Sequence, residues 1–295
     1  MEKKKGNQRM WGRREFVKAV AVAPLIPPVK TLMAFAGEDI GADSTSTEQQ
    51  KGAFKSSRHV LLDKGFSGEY VDSLLSDSRM TLYPNIKDIF KRASRRITYE
   101  EYKGILGVEQ KKKDGKKFIE ENEDHLKGAE EKYGVDGNYI AAIIGLESDY
   151  GKTCGTYNPV GVFVTMIESI PDRRKFGERE LVELLKFCQK HGTDPHSLRG
   201  SYAGALGVSQ FVPSSLNKLF IDGDGDGKPD PANMVDAIHS VAHYLKNWRQ
   251  DSNGWVKGQK PSEKQRNRNW RAIKAYNRSN NYARAVVDIA EALRD

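Results

Sequence analysis

Cysteine is nearly absent from this 295-residue chain: Cys154 and Cys188 are the only two, and neither belongs to a CxxC pair or has a nearby Cys/His partner. A disulfide-built mini-protein, a zinc finger and an iron-sulfur site are therefore excluded. No hydrophobic run is long enough to span a bilayer, so a multi-pass membrane protein is excluded too. Internal repeats and strand-rich stretches of any length are also missing, so the bulk of the chain is expected to be helical. The chain does have charge. Forty-eight Lys+Arg against 40 Asp+Glu give a formal net charge of +8, with hydrophobic residues at 38%. The balance by itself suggests a nucleic-acid partner.

That excess sits mostly at the front. Residues 1–36 carry eight basic side chains (Lys3, Lys4, Lys5, Arg9, Arg13, Arg14, Lys18 and Lys30) against Glu2 and Glu15, a net +6. The basic stretch leads into the weakly apolar AVAVAPLIPPV at 19–29 and then Ala34-Phe35-Ala36, the order of an export signal with a small-residue cleavage site. RREFVK at 13–18 has the form of a twin-arginine motif. The alternative is a basic cytoplasmic tail. Export implies a periplasmic protein, with no lipid-modified cysteine in the leader and no transmembrane segment in the mature chain. Beyond residue 36 there remain 40 basic and 38 acidic residues, so the case for nucleic acid loses its support.

Residues 37–57 are polar and aperiodic and are expected to form a flexible linker. Helical spacing follows at 69–78 and 85–93. A long charged amphipathic helix is expected over 116–134, stopping at Gly134, with KKKDGKK at 111–117 as a solvated loop and helix start. The fold class is mainly α with little β structure, divided into an N-terminal helical region (58–130) and a second helical region (131–295). Within the second, Asp136 caps a helix that carries Ile140, Ile143 and Ile144 at i, i+3 and i+4, and one further step reaches Glu147. A carboxyl group on an apolar face loses hydration and holds its proton near neutral pH, as a general acid requires. The same position also suits a structural carboxylate held by Arg or backbone N–H groups. Asp149, two residues on, faces elsewhere and makes a poor second carboxylate.

Six blocks occur in order: GLESDYG (145–151), DRRKF (172–176), GSYAGALGVSQFVPSS (200–215), DGDGDG (222–227), VDAIHSVAHYL (235–245) and YNRSNNYARAV (276–286). As a set they resemble the lytic murein transglycosylase B family, from about residue 59 onward. The resemblance implies a lysozyme-like catalytic core with additional N-terminal helices, acting on peptidoglycan glycan strands. Glu147 would be sole acid and then base, with the C6 hydroxyl of N-acetylmuramic acid as internal nucleophile giving 1,6-anhydro ends. No cofactor is implied for the chemistry. Ser201 and Gln210 would hydrogen-bond substrate or the acid, and Arg173 and Arg174 would contact peptide-bearing glycan. Tyr244, Tyr276, Asn277 and Tyr282 would line sugar sites, the tyrosines alternatively being core residues. A hydrolytic muramidase and a non-catalytic peptidoglycan-binding protein are the competing readings, and Asp172 or Asp236 as an unrecognised second acid would weaken the single-carboxylate scheme.

DGDGDGKPD places Asp222, Asp224 and Asp226 at positions 1, 3 and 5 of an EF-hand-like loop, with the Lys228 carbonyl at 7. Position 12 is Asn233. By resemblance the ligand set of a structural calcium, within the loop 222–236, closes on Asp236. The spacing of Gly200, Gly204 and Gly207 fits either close approach of sugar or backbone or tight helix packing. Cys154 and Cys188 form either a disulfide or two separate thiols.

Overall fold

The computed structural model describes residues 54–93, 97–248 and 263–294. The expected export signal (1–36) and residues 37–53 of the expected linker lie outside them. Thirteen α-helices run through the described residues: α1 (Lys55–Asp63), α2 (Gly68–Ser76), α3 (Ile86–Ala93), α4 (Tyr99–Leu106), α5 (Val108–Glu121), α6 (Glu123–Tyr133), α7 (Gly137–Ser148), α8 (Pro159–Ser169), α9 (Arg174–His191), α10 (Pro213–Leu219), α11 (Met234–Trp248), α12 (Glu263–Tyr276) and α13 (Asn280–Ala292). Three isolated bridges (Tyr157 with Gly200, Gly200 with Leu206, Leu206 with Phe211) are the β element. The mainly α class is therefore the one observed.

The ends of the helices carry recognisable chemistry. Thr98 and Glu101 form a reciprocal capping box at the start of α4, and the Asn158 side chain accepts from Val160 and Gly161 N–H ahead of Pro159 at the first position of α8. Asp136 caps α7 as expected, its side chain accepting from Asn138 N–H at 2.9 Å. Arg294, at the far end of the chain, donates to the other oxygen of the same carboxylate.

Three expectations are corrected. The linker stops before residue 57: α1 begins at Lys55, and buried Ser57 donates through its N–H (2.7 Å) and hydroxyl (2.8 Å) to Glu168 at the end of α8. The single helix expected over 116–134 is two, α5 and α6, parted at Asn122, with Gly134 ending the second in the left-handed region. KKKDGKK is neither loop nor solvated as a unit, because it lies inside α5 and Lys111 is 1% exposed. Val108, Lys111, Gly115 and Phe118 fall on one buried stripe, so the lysine points where an apolar residue would.

The core is organised around α7. Its apolar positions were expected on one face, yet every residue from Tyr139 to Ser148 is buried, because α13, α5, α11 and α6 all pack against it. A helix that is apolar nearly all round belongs at the centre of a bundle. Each Ile placed there contributes about 2–3 kcal/mol through loss of water contact. A second layer, α8 on α9 and α9 on α10, lies alongside. Helices α4 and α5 of the N-terminal region pack on α13, and α5 also packs on α7. The expected boundary near 130 thus runs through shared packing.

Candidate active site

Glu147 sits in the last turn of α7 and is 6% exposed. Tyr282, near the start of α13 behind its Ser279 cap, donates its hydroxyl to Glu147 Oε1 at 2.7 Å. Burial pushes the Glu147 carboxyl from an ordinary 4.5 up to about 8, against the opposing pull of the Tyr282 hydroxyl and the Lys111 ammonium. The group is therefore protonated near neutral pH, and the alternative of a carboxylate held by Arg or backbone N–H groups does not describe it.

The groups whose charge acts on Glu147, or on which its charge acts, are Tyr102, Tyr276, Tyr282 and Lys111. None is a carboxylate. Asp172 is exposed on the 3₁₀ turn Pro171–Arg173. Both oxygens of Asp236 are engaged by backbone, Oδ1 by the N–H of Gly223 (2.7 Å) and Asp224 (3.4 Å), and Oδ2 by that of Asp230 (2.7 Å). Asp149 is turned into an ion pair with Lys111 at 2.7 Å.

The tyrosines expected to offer faces to sugar form an aromatic wall. Tyr276 and Tyr282 lie parallel with ring centroids 6.5 Å apart, and Tyr244 meets Tyr276 edge-on at 4.8 Å with Phe211 against both. Tyr244 and Tyr282 are buried, and Tyr244 donates to Ala275 O at 2.8 Å. Their ring faces are closed to a ligand, which corrects the stacking role for these two. Tyr276, half-buried, donates to Ser209 O, and half-buried Asn277 accepts from Ser279 N–H at 3.0 Å.

The segment from Gly200 to Phe211 crosses this wall. Ser201 is buried, its hydroxyl accepting from Ala205 N–H at 3.2 Å. Gln210 holds a left-handed backbone (φ 50°) and donates Nε2 to Gly207 O (2.8 Å) and Cys154 O (3.0 Å). The hydrogen bonds of these two side chains thus go to backbone, and Glu147 takes its bond from Tyr282. The glycine series also has a structural cause: a Cβ on Gly204 would fall on the Phe163 ring, and one on Gly207 on the Pro231 carbonyl.

Arg173 is half-buried over the Phe90 ring, 4.6 Å from its centroid, and Phe90 in turn packs on Tyr202. Arg174 is exposed and paired with Glu178 at 3.1 Å. Cys154 and Cys188 are separate free thiols, half-buried and buried.

Two residues escaped the sequence reading. Tyr102 of α4 is buried close to Glu147, and its hydroxyl has no hydrogen-bond partner; at i+3 from Tyr99 it reads as ordinary core. Lys111 is the other. Its signal was its place between Val108 and Phe118 on one helical stripe, masked by the lysines around it.

In the acidic loop, Asp222, Asp224 and Asp226 bring carboxylate oxygens within 4.8 Å of one another. Asp222 accepts from the N–H of Gly225 (2.6 Å) and Gly227 (2.8 Å), which curls the chain around the three. Three hard anionic oxygen donors at this separation fit a cation such as calcium. The Asp236 carboxylate accepts N–H groups from both sides of the loop, and Lys228 donates its N–H to Asp226 at 2.8 Å. Among the described residues no helix is long and apolar enough to cross a membrane.

Residues 49–264 match the family described as Transglycosylase SLT domain. The membrane-bound lytic murein transglycosylase B of Escherichia coli (strain K12) is 38% identical over 141 residues, which make up 48% of this chain and 38% of that protein. The match thus spans well under half the length of that curated relative. The E. coli lytic transglycosylase SLT35, solved in complex with calcium, has a TM-score of 0.72 at 23% identity over 85% of this chain and 95% of its own, a likeness of fold. SltB3 from Pseudomonas aeruginosa, solved in complex with NAG-NAM-pentapeptide, has a TM-score of 0.68 at 26% identity over 84% of this chain and 80% of its own. The architecture is thus the helical lysozyme-like one that the sequence blocks implied.

Proposed function

The chain belongs to the transglycosylase SLT domain family, and on that premise we propose that it is a peptidoglycan lytic transglycosylase whose chemistry rests on Glu147 alone. The observation that carries this reading is the isolation of that carboxyl: buried, protonated up to about pH 8, and faced by three tyrosines and a lysine with no second acid among the described residues. Two-carboxylate glycosidases place their pair about 5–10 Å apart, and Asp149, Asp172 and Asp236 are each otherwise committed or exposed.

Glu147 donates its proton to the oxygen between MurNAc and GlcNAc as the bond from the anomeric carbon breaks. The carboxylate left behind takes the proton of the MurNAc C6 hydroxyl as that oxygen bonds to the anomeric carbon. Protons and bonds balance without water, and the product is a 1,6-anhydro end. A hydroxyl already on the same sugar has an effective concentration far above that of a competing molecule, so no second carboxylate is needed to activate it. Tyr282 serves both halves of the cycle, because its O–H stabilises the carboxylate formed after the first transfer.

Around this centre, Gln210, Ser201, Tyr276 and Asn277 bound the sugar site, Tyr244 and Tyr282 support it from within, and Arg173 and Arg174 offer guanidinium groups to the carboxylates of stem peptides. The loop Asp222–Asp226 holds a calcium of structural purpose, with the Lys228 carbonyl and the Asp236 carboxylate completing the set. Residues 1–36 direct export by the twin-arginine route, so that the mature protein works in the periplasm on glycan strands and not on nucleic acid. Digestion of purified sacculi, read by mass spectrometry, tests the reading. Wild type releases anhydro-muropeptides, one water lighter than reducing ends, and Glu147→Gln does not; reducing ends would establish a muramidase, and binding without any product a non-catalytic receptor.

A further inference from the structure

The mechanism leaves one buried charged pair unused. Lys111 of α5 is 1% exposed, and its ammonium donates to Asp149 Oδ1 at 2.7 Å. Asp149 is also buried and ends α7 in the left-handed region (φ 55°), followed by Tyr150, also left-handed at φ 61°. Two successive non-glycine residues in that region are conformationally costly, and such strain persists only where surrounding contacts over-determine it.

Two of those contacts meet at Lys111. Its ammonium takes the Asp149 carboxylate, and its carbonyl accepts the Tyr150 hydroxyl at 2.7 Å. Gly115 on α5 and Gly145 on α7 leave the room that Tyr150 occupies, since a Cβ on either would overlap its ring or hydroxyl. The chain leaving α7 is thus bolted to α5 two residues after Glu147. Buried ion pairs contribute little to stability compared with apolar packing of equal volume, so stability alone is a poor reason for one here.

We propose that Lys111 and Asp149 are positioning residues for Glu147: the bolt fixes the last turn of α7 and keeps inside the protein a cation that faces the acid when it becomes a carboxylate. This rests on the lytic transglycosylase reading, in which Glu147 must pass through its ionised form between its two proton transfers. The other groups facing Glu147 are Tyr102 from α4, Tyr276 from α12 and Tyr282 from α13, none charged at neutral pH. Asp114 of α5 lies near the pair and is bridged to Lys152 at 3.3 Å on the solvent side. The N-terminal helical region thereby supplies part of the electrostatics of a centre housed in the second region.

The test uses Lys111→Met, Lys111→Arg and Asp149→Asn in the full chain, with two readouts. One is the pH dependence of kcat/KM for anhydro-end formation. The other needs no turnover: the carboxyl titration of Glu147, taken as the infrared difference between each variant and its Glu147→Gln counterpart. Loss of the ammonium in Lys111→Met moves the midpoint and the alkaline limb up by about one unit. Asp149→Asn, which leaves the ammonium without its counter-charge, moves both down, and Lys111→Arg keeps the wild-type position. Opposite shifts from the two halves of one pair are not produced by a packing role. The proposal is overturned if melting temperatures fall while the midpoints stay put, or if both variants move them the same way. Should Lys111→Met fail to fold, the downward shift in Asp149→Asn carries the test. Inert wild type with the opposite shifts intact would overturn the function reading, whereas active wild type with unmoved midpoints in the variants would overturn this proposal alone.

Discussion

Two groups of carboxylates in this molecule have opposite fates. Glu147 is alone, stripped of water and given one hydroxyl donor, and its proton is held up to about pH 8. In the loop at 222–226, three aspartates crowd within 4.8 Å, exposed or half-exposed. For Asp222, loss of hydration is the largest single influence and works upward, but the N–H groups of Gly227 and Gly225 together with its other donors outweigh it and hold it below its ordinary value. The same functional group is thus held as an acid at Glu147 and favoured as an anion at Asp222. Solvent and donors decide the difference, and the number of neighbouring acids does not.

The largest expected effect comes from removing the lone acid. Glu147→Gln lowers turnover of peptidoglycan by about 10³-fold or more, in the upper range of general-acid contributions. It also stabilises the fold, and the sign follows from the titration. The folded value lies above 4.5, so the native state takes up a proton between 4.5 and about 8; the stability linked to it is complete below 4.5 and is lost as pH rises through 8. Wild type therefore weakens over that window while the Gln variant does not, a difference on the order of 3 kcal/mol at pH 7. Denaturant titrations of both proteins at pH 5, 7 and 8.5 measure it, and a constant gap would show that Glu147 is not desolvated.

Next in size is Tyr282→Phe, which takes away the donor and keeps the packing. Its kcat should fall by about 10- to 100-fold, and its alkaline limb should move upward because the ionised form has lost its hydrogen bond; a pH–rate profile reads both. On the loop side the effect is on stability and not on chemistry. Millimolar calcium should raise the melting temperature of wild type by about 5 °C and leave that of an Asp222→Asn/Asp226→Asn variant unmoved, with equal kcat for the two once each is folded. Smallest is Arg174→Ala. The exposed pair with Glu178 is worth under about 1 kcal/mol, so the melting temperature should hold within a degree or two, while KM for peptide-bearing glycan rises several-fold relative to peptide-free strands.

The helical class and the buried place of the carboxyl were legible because each rests on local pattern. Asp136 before GNYIAAIIGLES, Gly134 after a charged run, and a carboxylate prolonging an isoleucine stripe are all visible within a dozen residues. What stayed hidden depends on partners far away in the chain. The burial of α7 on every side comes from four other helices, so a one-sided stripe was read where none exists. Lys111 looked solvated because composition averages over seven residues of KKKDGKK, whereas only Lys111 and Gly115 among them are buried. The break at Asn122 carries neither Gly nor Pro to announce it. Asp236 was expected as a metal ligand by resemblance, and the three backbone N–H groups that its two oxygens accept lie on a loop whose course the sequence did not show.

The hydrogen bond between Tyr282 and Glu147 joins residues 135 positions apart, and that span has a meaning in time. As the chain is synthesised, the acid emerges 135 residues ahead of its donor. Until α13 docks, the carboxyl at 147 lacks both its donor and one wall of the pocket that keeps it dry, so it titrates like any exposed glutamate. Docking of α13 and desolvation of the acid are therefore one event.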